Sequence, residues 1–180
     1  NKDVRSLKYR KSLIQKLLDW MILNENLIKE TISKDFNKSD VEIDLTEIWI
    51  CIKESKYILK NLKGWMAKQK VSKTLPLLTT RSHIIRQPKG IVFIIAPWNY
   101  PFQLSIMPLL AAIASGNSVF LKPSEKTPNT SKLISDMVSD LLEPQDVIVF
   151  EGGEEVVTPL LERKFDHIFY TGGTSVGRIV

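Results

Sequence analysis

The sequence predicts an α/β protein: an incomplete doubly wound parallel sheet, preceded by a helical segment and a short β-hairpin. Three observations lead there. Apolar residues recur at three- and four-residue spacing through residues 4–66, the rhythm of amphipathic helices. After Gly90, four short apolar runs alternate with helical stretches at intervals of roughly 20–30 residues, as a parallel sheet with crossover helices requires. Between these halves, residues 71–90 hold two short extended runs around a polar turn.

Each element has its own signal. Leu7, Ile14, Leu17, Leu18 and Met21 line one side of a first helix, with Lys8, Lys11, Lys16 and Asp19 between them. A second helix covers residues 27–36. A third opens at Ser39 or Asp40, either of which can cap it, runs through Ile48, Ile52, Leu59 and Leu62, and ends near Gly64. Residues 74–78 and 83–86 read as the hairpin strands, and Pro76 confines the first to an edge position. Ile91-Val92-Phe93-Ile94-Ile95 is continuously apolar and β-branched, as a strand buried on both faces should be. A helix over 106–115 closes at Gly116-Asn117, and a strand follows over 118–121. Leu133, Ile134, Met137, Val138 and Leu141 mark an amphipathic helix over 130–142. Then come a strand over 146–150, a helix over 154–163, and a strand over 166–170. That helix opens on Glu154-Glu155, where negative charge suits the helix dipole. Gly172 to Gly177 form a turn into a last helix, which Val180 leaves at about two turns, below the length of a stable isolated helix.

The composition bounds the function. With 43% hydrophobic and 25% charged residues the chain is globular, not disordered. The net charge of +5 comes from lysines spread at helical intervals among Glu and Asp, which describes a solvated helix surface and not a nucleic-acid-binding face. A single cysteine, Cys51, excludes an internal disulfide and points to a reducing compartment. The apolar runs at 90–97 and 106–114 are too short to span a bilayer, and no secretory leader is expected from the charged first residues. No metal site is expected. The initial Asn and the apolar Ile179-Val180 end read as a segment cut from a longer polypeptide.

Three loops follow the carboxyl ends of strands, where open α/β sheets bind ligands. In Ala96-Pro97-Trp98-Asn99-Tyr100-Pro101, two prolines stiffen a loop that displays an indole and an amide. A rigidly held amide can donate to a developing oxyanion; the same segment also reads as a tight turn with Trp98 packed inward. Lys122-Pro123-Ser124-Glu125 could grip a ribose diol, the Lys donating and the carboxylate accepting, or could be a surface ion pair. The Gly172–Gly177 turn lets backbone approach a ligand, although its spacing is not G-x-G-x-x-G. Gly152-Gly153 offers a further turn or close-approach point.

Taken in order, Pro97-Trp98-Asn99-Tyr100-Pro101, Ala114-Ser115-Gly116-Asn117, Lys122-Pro123-Ser124-Glu125 and Phe165-Asp166-His167-Ile168-Phe169-Tyr170-Thr171-Gly172 resemble the aldehyde dehydrogenase superfamily. Leu62-Lys63-Gly64-Trp65-Met66 and Arg86-Gln87-Pro88-Lys89-Gly90 extend the resemblance, to its fatty-aldehyde, dimeric branch, across essentially the whole chain. The resemblance implies a Rossmann-like, partial dinucleotide-binding domain at 91–180, a helical segment at 1–70 packed on it, and a hairpin at 71–90 serving oligomerisation. It implies that Asn99 contributes to an oxyanion hole and that Ile95, Ala96, Pro97 and Trp98 line the cofactor cleft. Lys122 and Glu125 would clamp the adenosine ribose. Gly153 would be a further cofactor-binding position, and Gly172, Gly173, Thr174, Ser175, Val176 and Gly177 would lie by the pyrophosphate. Gly173 stands where many relatives have Ser or Asn, which removes a side-chain contact and keeps the backbone one.

The implied reaction oxidises an aldehyde, medium or long-chain aliphatic or aromatic, to its carboxylic acid. A cysteine thiolate adds to the aldehyde, hydride passes to the nicotinamide, and a glutamate-activated water hydrolyses the thioester. The cofactor is expected to be NAD, with NADP possible, because a rigid Glu125 would repel a 2′-phosphate. Neither the catalytic Cys nor the catalytic Glu has a counterpart here, and Cys51, His83 and His167 match no catalytic position. The isolated chain is therefore expected to be inactive and marginally stable, its open sheet edge inviting association. The complete protein would be a homodimer, cytoplasmic or held to a membrane by a carboxy-terminal tail. The alternative is a short, non-catalytic nucleotide-binding paralogue that partners full-length subunits.

Overall fold

The computed structural model describes residues 6–72 and 79–180. At its centre is a four-stranded parallel sheet, one face of which shares a core with helices of both halves.

The helices come first. Ser6 caps α1 (Leu7–Leu23) by accepting the Tyr9 N–H at 3.2 Å. α2 spans Glu25–Asp35. Of the two candidate caps for the next helix, the structure uses Ser39, whose Oγ accepts from the Glu42 N–H at 3.2 Å. That helix is unbroken but not uniform. α3 (Asp40–Ile43) passes into a π-helical turn over Asp44–Ile48 and then into α4 (Trp49–Trp65), one residue beyond Gly64. The wider turn shifts the helical phase, so Ile43, Glu47, Ile48, Cys51 and Ile52 all face inward.

The hairpin differs from expectation. β2 is His83–Ile84, within the expected second strand, but its antiparallel partner is β1 (Gln69–Lys70), in the register Gln69 opposite Ile84. The strand expected over 74–78 lies outside the described residues. Both observed strands are exposed, and neither buries an apolar side chain that could have fixed the pairing in advance.

The α/β half follows its sequence signals closely. It contains β3 (Ile91–Ile95), α5 (Gln103–Ser115), β4 (Ser118–Lys122), α6 (Pro128–Leu141), β5 (Val147–Val149), α7 (Glu154–Leu161), β6 (His167–Tyr170) and the short α8 (Thr174–Gly177). All four strands are parallel, in the order β5-β4-β3-β6. The first three march outward and the fourth returns to the far side of β3, which is the order of a doubly wound sheet with its switch point between β3 and β6. Val92, Ile94, Val119, Leu121 and Val147 point into the helical layer and join Leu17, Met21, Ile58, Leu109, Leu110 and Ile134 in one core. The opposite face carries an aromatic row: Phe93 stacks on Phe165 at 4.9 Å, Phe120 meets Phe165 edge-on at 5.3 Å, and Phe150 lies 5.2 Å from Phe120. Each fully buried Leu, Ile or Phe contributes about 1.5–3 kcal/mol by removal from water. The helical half thus shares its core with the sheet and is held mainly by burial.

Candidate functional site

Strand register brings the candidate loops to one rim. Ile95, the last residue of β3, lies beside Lys122, the last of β4, and beside Tyr170, the last of β6. Backbone hydrogen bonds continue the alignment past the strand ends, from Ala96 N–H to Lys122 O at 3.0 Å and from Thr171 N–H to Ile95 O at 3.1 Å. The loops bearing Asn99, Lys122 and Gly173 therefore leave neighbouring strands in the same direction, on either side of the switch point.

Lys122 is not a surface residue. Its side chain is 4% exposed, and its ammonium donates to Glu125 Oε2 at 2.7 Å and to the Gly152 carbonyl at 3.1 Å. An ammonium has three donors, so one is left over, and Glu125 keeps a second carboxylate oxygen on a side chain 45% exposed. Burial pushes the Glu125 carboxyl up, but hydrogen bonds from Lys122 and from its own backbone outweigh this and hold it below the usual carboxylate range. The loop that presents this pair is braced. Ser124 O accepts the Ser131 hydroxyl at 2.6 Å and the Thr127 N–H at 3.2 Å, and Pro123 and Ser124 are buried. One free donor beside one free acceptor, rigidly held, fits a vicinal diol such as a ribose.

The Gly152 carbonyl ties the loop after β5 into the same cluster, and Gly153 lies beside Glu125. Gly153 N–H, at the entrance to α7, donates to Glu155 Oε1 at 2.8 Å. Gly172 to Gly177 are all exposed, and a Cβ placed on Gly173 would meet nothing nearer than Ser175 Oγ at 4.0 Å. That backbone is approachable from the rim.

In the loop after β3, Ile95 and Ala96 are buried, Pro97 is half-buried and Trp98 is 49% exposed. Trp98 is neither free nor packed into the sheet; its ring stacks at 6.2 Å on Phe36, at the end of α2. The Asn99 side chain is exposed and makes no hydrogen bond among the described residues, whereas its carbonyl accepts from Lys38 Nζ at 2.8 Å. Sequence reasoning found the loop but missed Phe36, Lys38, Glu47 and the Gly152 carbonyl. Only Glu47 left a trace, as a carboxylate standing between Ile43 and Cys51 on an otherwise apolar helical stripe.

Other features separate from this rim. Cys51 is 0% exposed within α4, and burial pushes its thiol far above the ordinary range, as suits a packing residue and not a nucleophile. A groove of about 710 Å³ beside α4 and α5 is lined by Arg10, Ile58, Val92, Ala111, Asn117 and His167, and no candidate loop borders it. Among the described residues no helix is long and apolar enough to cross a membrane, and no cluster of three or more His, Cys, Asp or Glu could hold a metal ion.

Comparisons with known proteins identify the family and the fold. The model of the aldehyde dehydrogenase family matches residues 3–180. Mouse aldehyde dehydrogenase family 3 member B2 is 42% identical over 176 residues, covering 98% of this chain and 37% of the relative. The structure of the substrate-bound state of Staphylococcus aureus AldH superposes with a TM-score of 0.96 at 39% identity, over 99% of this chain and 39% of that one. Two more distant structures share the fold alone, each over 94% of this chain. A Streptococcus pyogenes succinic semialdehyde dehydrogenase in complex with NADP+ has a TM-score of 0.81 at 16% identity over 36% of its own length. An NAD+ complex of a Bacillus cereus aldehyde dehydrogenase has a TM-score of 0.80 at 22% over 34% of its length. The chain thus spans under two-fifths of the length of these proteins. On the family match and on this identity, the chain belongs to the aldehyde dehydrogenase family.

Proposed function

We propose that this chain supplies the dinucleotide-binding rim and the oxyanion-stabilising amide of an NAD(P)-dependent aldehyde dehydrogenase, whose nucleophilic cysteine and general-base glutamate lie in a further segment. The observation that carries the reading is the buried Lys122 ammonium, which binds Glu125 at 2.7 Å and Gly152 at 3.1 Å at the strand ends where doubly wound sheets take nucleotides. The ribose would rest on Lys122 and Glu125, the pyrophosphate by Gly153 and the turn from Gly172 to Gly177, and the nicotinamide side of the cleft by Ile95 to Trp98. A dinucleotide held there would supply the hydride acceptor for the oxidation. The Asn99 amide, on the neighbouring loop, would donate a hydrogen bond to the oxygen of the aldehyde as it gains negative charge. Glu125, ionised at neutral pH, would disfavour a 2′-phosphate, so NAD is preferred and NADP tolerated.

The substrate class is an aliphatic or aromatic aldehyde of medium or long chain, and the complete protein would act as a homodimer, with the β1–β2 hairpin as an assembly element. Because the sole cysteine is buried in α4, the 180 residues alone should show no aldehyde-dependent NADH production. The complete protein should show it, and Asn99→Ala should lower its kcat by about 10²–10³ with little change in cofactor affinity. Absence of turnover by the complete protein, or an Asn99→Ala variant as fast as wild type, would overturn the assignment. A strong NADP preference in the ratio of catalytic efficiencies would contradict the rigid clamp.

A further inference from the structure

The loop carrying Asn99 is held by a pair of charged residues from the helical half. Glu47, in the π-helical turn, is 0% exposed, and each of its carboxylate oxygens is engaged. Oε1 accepts from Lys38 Nζ at 2.7 Å; Oε2 accepts the Phe102 N–H at 2.9 Å and the Gln103 N–H at 3.3 Å. Those two N–H groups open α5, which has no side-chain cap of its own. Lys38 is 11% exposed, donates also to the Asn99 carbonyl at 2.8 Å, and lies over the rings of Tyr100 at 4.3 Å and Phe36 at 4.7 Å. Phe36 in turn stacks on Trp98. Every residue from Trp98 to Gln103 except Pro101 is therefore touched directly by Phe36, Lys38 or Glu47.

A buried ion pair is a poor device for stability alone, because desolvating both charges offsets much of their attraction. Its geometry suits positioning. Lys38 grips the peptide oxygen of Asn99 itself while Glu47 fixes the helix that the loop enters, leaving the Asn99 side chain as the free group. We infer that Lys38 and Glu47 are positioning residues that orient the Asn99 amide toward the reacting oxygen. The inference rests on the oxyanion role proposed above for Asn99, but the clamp on the loop can be tested separately.

The experiment uses the complete protein, with Lys38→Met as the principal variant and Glu47→Gln as the second, since the latter alters a buried carboxylate and could fail to fold. Amide hydrogen exchange over residues 96–103 should rise at least fivefold in Lys38→Met while α1 and α6 stay protected. Unchanged exchange there would overturn the clamp whether or not the enzyme turns over. In steady-state kinetics Lys38→Met should lower kcat about tenfold, with aldehyde and cofactor KM within twofold of wild type. In an Asn99→Ala background the same substitution should cost less than twofold, because the group it positions is gone. An equal tenfold loss in both backgrounds would sink the positioning role. If wild type turns over and Asn99→Ala has no effect, the oxyanion assignment fails instead, and the exchange measurement still decides whether the clamp exists.

Discussion

Single residues do two kinds of work in this chain. Gly116 closes α5 in the left-handed region at φ +84°, and a Cβ there would run into the buried guanidinium of Arg10, which donates to the Ala114 carbonyl at 3.1 Å. Gly116→Ala should therefore destabilise by about 1–3 kcal/mol, from the left-handed strain and the displaced Arg10 together; a urea midpoint within error of wild type would show that this turn relaxes freely. Lys122 and Glu125 are of the other kind, since nothing in core packing calls for a charged pair at a strand end. Their pairing was legible in the sequence as residue types at a strand terminus. The burial of Lys122 was not, because it depends on the Gly152 carbonyl arriving from the loop after β5, thirty residues away in sequence.

At the scale of elements, the helical half caps the helices that follow the candidate loops. Glu47 covers the start of α5. Asp35, at the end of α2, covers the start of α6: Oδ1 accepts from Asn129 N–H at 3.1 Å, and Oδ2 from Thr130 N–H and Oγ1 at 2.7 Å. Neither α5 nor α6 has a side-chain cap from its own sequence neighbours, so these long-range carboxylates replace the local signal. Asp35→Ala should cost about 1–2 kcal/mol, the scale of a lost N-cap, with exchange rising first in the opening turn of α6; no change in that turn would refute the capping role. This is why the strands and helices could be read in order while their mutual bracing could not. Local signals report apolar faces, buried strands and stops: β3 was found from its continuous apolar run and the end of α5 from Gly116. A cap 55 or 95 residues distant leaves no pattern nearby. The π-helical turn at Asp44–Ile48 and the pairing of Gln69–Lys70 with β2 were missed for the related reason that weak local preference yields to tertiary contact.

Taken as a whole, the molecule couples its two halves through side-chain contacts as well as the shared core. Tyr9, on α1, donates its hydroxyl to Asp146 Oδ2 at 2.6 Å, just before β5. Burial, then the hydrogen bond and charge of Asp146, push the Tyr9 phenol from its ordinary value of 10.0 up to about 12. The folded state thus favours the protonated phenol, so this contribution is complete below pH 10 and is lost as pH rises toward 12. Wild type should lose more stability than Tyr9→Phe between pH 9 and pH 11.5, read from urea midpoints, and equal losses would mean the bond does not join the halves. The fold class, the parallel strands and the three rim loops were all visible in the sequence. What it could not show is that the helical half reaches the loop bearing Asn99 through Phe36, Lys38 and Glu47.

The most direct test of the rim as a dinucleotide site is the dissociation constant of the complete protein for NAD+, measured by titration calorimetry in wild type and in Glu125→Gln. Glu125 is exposed enough that the fold should tolerate the change, and losing one charge-assisted hydrogen bond of about 1.5–3 kcal/mol should weaken binding roughly 10–100-fold. NADP+ should weaken less, because the same substitution removes the repulsion of a 2′-phosphate. Unaltered affinity for NAD+ would place the nucleotide somewhere other than the carboxyl rim of β3 and β4.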